Sequence, residues 1–279
     1  MRIGSDEHRD LFCNHFISTF IPYEPQTLPW PELDAPSLER LRAVPFWQEV
    51  LHTERRAGAI VKAFATTIDD SLVRKAVDLQ GYEERRHAEL LREMIRRYGI
   101  SVEEQALEPL NPDIETAFKD FGFGECIDSF LGFGAFKLAR QSHFLPESMF
   151  EIFETLMLEE TRHIVFFVNW MAWSSVQAGT AWRRHLSSLR YYARAIGRLV
   201  GTIRRGQKVN DGTDFSATQA SVFLDDFTFR KFLENCYSEN RRRMSEFDAE
   251  LLRPTFLPRL ADASLSSLRL WHFRQASAS

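Results

Sequence analysis

Apolar positions recur every three to four residues from about 46 to 175, the spacing of helices that bury one face. Four helices are predicted there. The first runs from about 45 to 68. Asp69, Asp70 and Ser71 offer capping oxygens to a second, from about 72 to 98, and Gly99 stops it. A connection over 100–111 follows, and Pro112 suits the first turn of a third helix reaching about 141. Pro146 opens a fourth, which reaches about 175. Residues 1–45 contain Pro22, Pro25, Pro29, Pro31, Pro36 and Pro45 and no long helical period, so they are expected to form an irregular arm around the body. Helical patterns return at about 181–205, 217–251 and 262–273. The expected organisation is an arm (1–45), a four-helix bundle (46–178) and additional helices packed on it (179–279).

The links between helices set the topology. Helices one and two are joined tightly, as are three and four, so each pair should be an antiparallel hairpin. The middle connection has about a dozen residues and can span roughly 40 Å, about the length of one helix. The fold class is therefore all-α, two hairpins joined by a long crossover.

Six residues on the apolar stripes change the picture from packing to chemistry. Glu84 and His87 form a Glu-x-x-His on helix two, and Glu160 and His163 form another on helix four. Glu54 and Glu125 stand alone on helices one and three. Residues three apart share a helix face, so each pair can address one ion. An unpaired carboxylate among apolar neighbours is costly, and a pair of divalent cations would neutralise all four. The heights agree: Glu54 lies about 22 Å of helix before Asp69, and Glu84 about 20 Å after Ser71. Glu125 and Glu160 sit at matching distances from the second turn. The Glu-to-Glu separations of 30 and 35 residues suggest a diverged internal repeat. Glu49 and His52 also form a Glu-x-x-His, but off the Glu54 face, and are assigned to solvent or the arm.

Composition adds an aromatic interior, with 24 phenylalanines in 279 residues, and otherwise the profile of a soluble globular enzyme. No apolar run reaches the roughly 18 residues of a membrane span, and MRIGSDEHRD does not resemble a signal peptide. Cys13, Cys126 and Cys236 are too few and too scattered for a disulfide framework or a thiolate metal knuckle. A cytoplasmic, reduced setting without membrane association is expected. The net charge of −4 hides an asymmetry: eight Arg and Lys and no acid lie between Trp182 and Lys208. Such a helix, with Arg190 and Arg194 on it, suits docking of an acidic ferredoxin or carrier protein. Nucleic acid is disfavoured, since no recognised binding motif accompanies the charge.

The Glu, Glu-x-x-His, Glu, Glu-x-x-His order resembles the ferritin-like diiron carboxylate superfamily, which includes rubrerythrins, bacterial multicomponent monooxygenases, acyl-carrier desaturases and the ribonucleotide reductase small subunit. The likeness covers about 46–175. It extends to EERRH at 83–87 and EETRH at 159–163, similar to the Asp-Glu-x-Arg-His of the monooxygenases with Glu in place of Asp. The resemblance implies a ferritin-like bundle, two iron ions (or a manganese–iron pair) on Glu54, Glu84, His87, Glu125, Glu160 and His163, and acid–arginine pairs across helices made by Glu83, Arg86, Glu159 and Arg162. An acid on the far nitrogen of each histidine would fix its tautomer. The reductase's radical tyrosine position is Leu91 here, and the four cysteines of a rubredoxin-type site are missing. Asp128 takes the offset of an extra rubrerythrin ligand and is an additional or switching ligand candidate.

Helix three reads FGFGECIDSFLGFGAF, with Gly122, Gly124, Gly132 and Gly134 inside it. Each glycine costs about 1 kcal/mol in a helix relative to alanine. Space for a substrate, lined by Phe121, Gly122, Phe123, Phe130, Gly132 and Phe133, would account for them, as would close helix packing. Thr161 is a candidate for proton delivery, against a hydroxyl bonded back to its own helix. The leading expectation is an oxidase or monooxygenase that activates O2 and oxidises an apolar or carrier-bound organic substrate. A rubrerythrin-like peroxidase and an iron-handling or storage protein are the rivals. A homodimer is compatible with all three.

Overall fold

The computed structural model describes residues 1–206 and 228–276, which form α-helices, short 3-10 turns and connections, with no strand among them. The four predicted helices are α3 (Trp47–Ala65), α4 (Ser71–Tyr98), α5 (Ile114–Gln141) and α6 (Glu147–Gln177). Asp70 caps α4 by accepting from the backbone N–H groups of Leu72 and Val73. Gly99 ends it in the left-handed region at φ 60°, which a glycine adopts without strain. Asp113, not Pro112, starts α5, because its carboxylate accepts from the Thr116 N–H.

The arm expectation is corrected. Residues 1–45 hold α1 (Asp6–Ser18) and α2 (Ala35–Ala43), capped by Ser5 and Asp34. α1 packs on α6 and α4, burying Phe12, Cys13 and Phe16, while the intervening prolines carry the chain across the bundle. After the bundle come α7 (Arg184–Gly206), α8 (Phe229–Met244) and α9 (Phe256–Ala276). α8 lies against α5, and α7 against α5 as well. The part of the predicted 217–251 helix before 228 lies outside the described residues, as does Lys208.

In the bundle, α3 packs on α4, α4 on α6, α6 on α5 and α5 on α3. An aromatic core fills one end, with Phe64 stacked on Phe118 at 4.2 Å and both against Trp170. Toward the other end a second core gathers Trp30, Leu41, Leu90, Leu91 and Met149, and there a cavity runs beside the acidic residues of the bundle's middle.

Candidate metal centre

Four helices converge their carboxylates and imidazoles at one level. Glu84, His87, Glu160 and His163 are buried, each offering a ligand atom within 4.8 Å of the others, and so could hold a metal ion. His87 Nδ1 is 3.0 Å from Glu160 and 3.4 Å from Glu54, and His163 Nδ1 is 3.1 Å from Glu84. The two imidazole rings are 5.5 Å apart. Glu125 joins from α5, with Glu160, Glu84 and Asp128 as its electrostatic neighbours. The pairing is two-fold: each histidine faces the Glu of the opposite Glu-x-x-His.

The outer faces of the histidines are occupied in the same symmetric way. Glu83 accepts from Arg162 at 2.8 Å and lies 2.9 Å from His163 Nε2. Glu159 accepts from Arg86 and lies 2.9 Å from His87 Nε2. Both acids are fully buried. These contacts assign the proton of each ring to Nε2 and turn the Nδ1 lone pair inward. Sequence reasoning missed the residues that brace this layer. Tyr23 donates to Glu159 at 3.3 Å and lies under the Arg86 guanidinium at 3.9 Å. Arg162 donates to Thr19 and to the Phe16 carbonyl, and Gln80 donates to Glu84 at 3.2 Å. Gln80, one turn before Glu84 on the same face, was the only one of these with a signal in the sequence.

The electrostatics of the centre follow from this burial. With the ring protons on Nε2, neither Nδ1 nor either oxygen of Glu160 has a hydrogen-bond partner among the described residues, although all are buried. Lone pairs therefore face carboxylate oxygens, an arrangement that demands a positive charge between them. Burial pushes Glu54 up to about 7, and burial with the neighbouring Glu160 and Glu84 carries Glu125 well above the usual carboxylate range. Burial works against charging His87 and His163, yet their carboxylate partners raise both well above 6.5. Protons meet the demand in the bare protein; divalent cations on this hard oxygen and imidazole donor set would meet it equally.

A cavity of about 260 Å³ opens on this cluster. It lies toward the start of α3 and α6 and the end of α5, among Trp47, Val50, Phe136, Phe150, Phe153 and Leu156, and reaches Glu54, Glu125 and Glu160. The six residues expected around a substrate space do not all lie on this cavity. Gly132 and Phe133 line this cavity and Phe121 a second one. Gly122 instead meets the Phe167 ring, Phe123 packs among Phe167, Tyr191 and Tyr192, and Phe130 belongs to the core under α8. Glu49, assigned to solvent or the arm, is not in solvent: it is buried on the wall of this cavity, which Leu41 and Val44 of residues 1–45 also line. Thr161 gives its hydroxyl to the Met157 carbonyl at 2.6 Å, the bond back to its own helix that was the alternative to proton delivery. On α7, Arg194 and Arg198 pair with Asp120 of α5, so an acid in the fold answers part of that charge. No helix among the described residues is long and apolar enough to cross a membrane. No protein-family model matches the chain, and neither a curated protein nor a solved structure shows significant similarity to it.

Proposed function

We propose that this protein is a non-haem diiron oxidase or monooxygenase of the ferritin-like kind, acting on an apolar or carrier-bound organic substrate. The observation that carries the reading is the apolar cavity opening on the same carboxylates that surround the unpartnered Nδ1 atoms. Glu54, Glu84, His87, Glu125, Glu160 and His163 would hold the two ions, with Asp128 beside Glu125 as an additional ligand candidate. When bound, the ions supply the binding and reduction of O2. The chain's own part is to hold both imidazoles as Nε2–H tautomers through Glu83 and Glu159 and to keep water from the substrate face with aromatic side chains. The carboxyl protons of Glu54 and Glu125 would leave when cations arrive. Arg190, exposed on α7, belongs to the surface that would receive an acidic electron donor, a docking that should weaken with salt.

Anaerobic loading with ferrous iron, followed by metal analysis, should find two ions per chain; one or none would sink the proposal. Glu83→Gln should weaken metal binding about tenfold to a hundredfold in a chelator competition. The diferrous protein, mixed rapidly with O2 or with hydrogen peroxide, should react faster with O2 and be accelerated by an apolar substrate. Faster reaction with peroxide, indifferent to substrate, would favour the rubrerythrin-like alternative, for which Asp128 beside Glu125 is the structural support.

A further inference from the structure

A second cavity, of about 380 Å³, lies on the other side of the carboxylate layer. It shares Thr53, Glu125 and Asp128 with the apolar cavity, so those three side chains stand between the two. Its walls differ in kind: Arg56, Asn111, Asp120 and Arg198 line it beside Phe121 and Gly124. Both cavities follow the seam where α3 meets α5. On α3 the positions 49, 53, 56 and 60 recur at four, three and four residues and so form one stripe along that seam. Glu49 and Thr53 line the apolar cavity, and Thr53, Arg56 and Ile60 the polar one. On α5 the seam is kept open by glycine. A Cβ at Gly132 would meet nothing within 4 Å, and one at Gly124 would meet only the Asp128 carboxylate, at 4.0 Å.

The cations of the polar cavity are not equivalent. Arg198 is engaged with Asp120, which also takes Arg194. Arg56 forms no ion pair among the described residues, and its Nη1 is buried without a hydrogen-bond partner. Its sequence neighbour Arg55 turns away to Glu104. A buried guanidinium nitrogen without an acceptor is costly, and an oxyanion is its natural complement. The planar fork of arginine fits a carboxylate.

We propose that the α3–α5 seam is a two-part site for an organic acid, with the carboxylate on Arg56 in the polar cavity and the apolar body in the adjoining apolar cavity. A molecule so placed passes Thr53, Glu125 and Asp128, the edge of the candidate metal centre. The apolar part is slim, below the 300–1,000 Å³ usual for drug-sized ligands, and extends along the bundle axis from Glu160 back to Met149, about 16 Å of helix. An unbranched apolar chain fits it better than a fused ring system. The inference deepens the functional proposal by naming the substrate class, and rests on it for the role of the acid as substrate but not for its binding.

Calorimetric titration of the purified full chain with decanoate and with decan-1-ol tests it, on protein as isolated and after chelator treatment. Wild type should bind decanoate more tightly than the alcohol. Arg56→Gln should weaken decanoate about tenfold to a hundredfold, the span of hydrogen bonds to a charged group, and leave decanol unchanged, which also shows that the variant is folded. Arg56→Lys should keep part of the preference, and Gly132→Leu should weaken both ligands. Equal binding of acid and alcohol by wild type, or decanoate binding indifferent to Arg56→Gln, would overturn it. Should the chain bind no metal yet keep an Arg56-dependent preference for decanoate, the oxygenase reading falls and the acid site stands.

Discussion

The glycines of α5 differ in what stands opposite them, and the difference can be measured. A Cβ at Gly122 would overlap the Phe167 ring, and one at Gly134 would run into Cys236 of α8. These two exist so that α6 and α8 can approach. Gly132 faces open cavity instead. Gly122→Ala should therefore destabilise the protein by about 1–3 kcal/mol through overpacking. Gly132→Ala should be neutral, or stabilise by up to about 1 kcal/mol from helix propensity. Urea denaturation should place the Gly122→Ala midpoint below that of wild type and the Gly132→Ala midpoint at or above it; matching midpoints would mean that the Phe167 ring yields freely. At this scale the sequence located the charged layer well, because an acid or histidine on an apolar stripe stands out. It located the cavity walls poorly, since Phe123, Phe130 and Phe133 look alike until the neighbours of each helix face are known. Glu49 misled for the same reason: its face looked outward on a lone helix, but it is buried on the wall of the apolar cavity.

Among elements, α3 to α6 were legible from their helical period, which Asp70 and Gly99 reinforce at the two ends of α4. α1 was not, because DEHRDLFCNHFIS mixes polar and apolar residues and is followed by prolines that suggest irregular chain. It holds by tertiary contact: Phe12 and Phe16 pack on Phe166, and His8 Nε2 lies 3.0 Å from the Asn169 amide oxygen. Burial is the main influence on His8 and lowers its pKa below 6.5, with Arg184 acting in the same sense. The folded state then holds fewer protons than the unfolded one as pH falls below about 6.5. The contribution of His8 is present above that value and is lost as pH falls toward its lower folded pKa. Amide exchange in α1, corrected for intrinsic rates, should thus speed up between about pH 7.5 and 5.5 relative to α4. His8→Gln should flatten that response. An unchanged response in the variant would assign it to another group, with His15 the next to test.

For the whole molecule, the two hairpins are related by an approximate two-fold that exchanges Glu83 with Glu159, His163 with His87 and Arg162 with Arg86. Each half thus completes the other's histidine, and the charged layer becomes a single cooperative unit in the middle of the bundle. Its cost in the bare protein depends on pH with a definite sign. Burial raises Glu54 to about 7 and lifts Glu125 well above 4.5, so the folded chain holds protons that the unfolded chain releases above about pH 4.5. His87 and His163, raised by their carboxylate partners, contribute stability that is full below 6.5 and lost as pH rises through their folded values. Glu83 and Glu160 act oppositely, but only where pH falls through values below 4.5. His8 and His15, lowered by burial, oppose the trend up to about 6.5, two groups against the four of the layer. Metal-free protein should consequently lose stability as pH rises from about 5 to 7. Cations that displace these protons bind more tightly over the same interval. The stabilisation gained on adding manganese(II), read as the shift in urea midpoint between loaded and chelator-treated protein, should therefore grow with pH across that window. Replacing Glu54 and Glu125 by Gln together should remove much of the pH dependence of the metal-free protein and most of the shift on loading. A metal-free protein that becomes more stable between about pH 5 and 7 would show that the layer carries its charges without needing protons or cations, and would remove the physical basis for placing metal there.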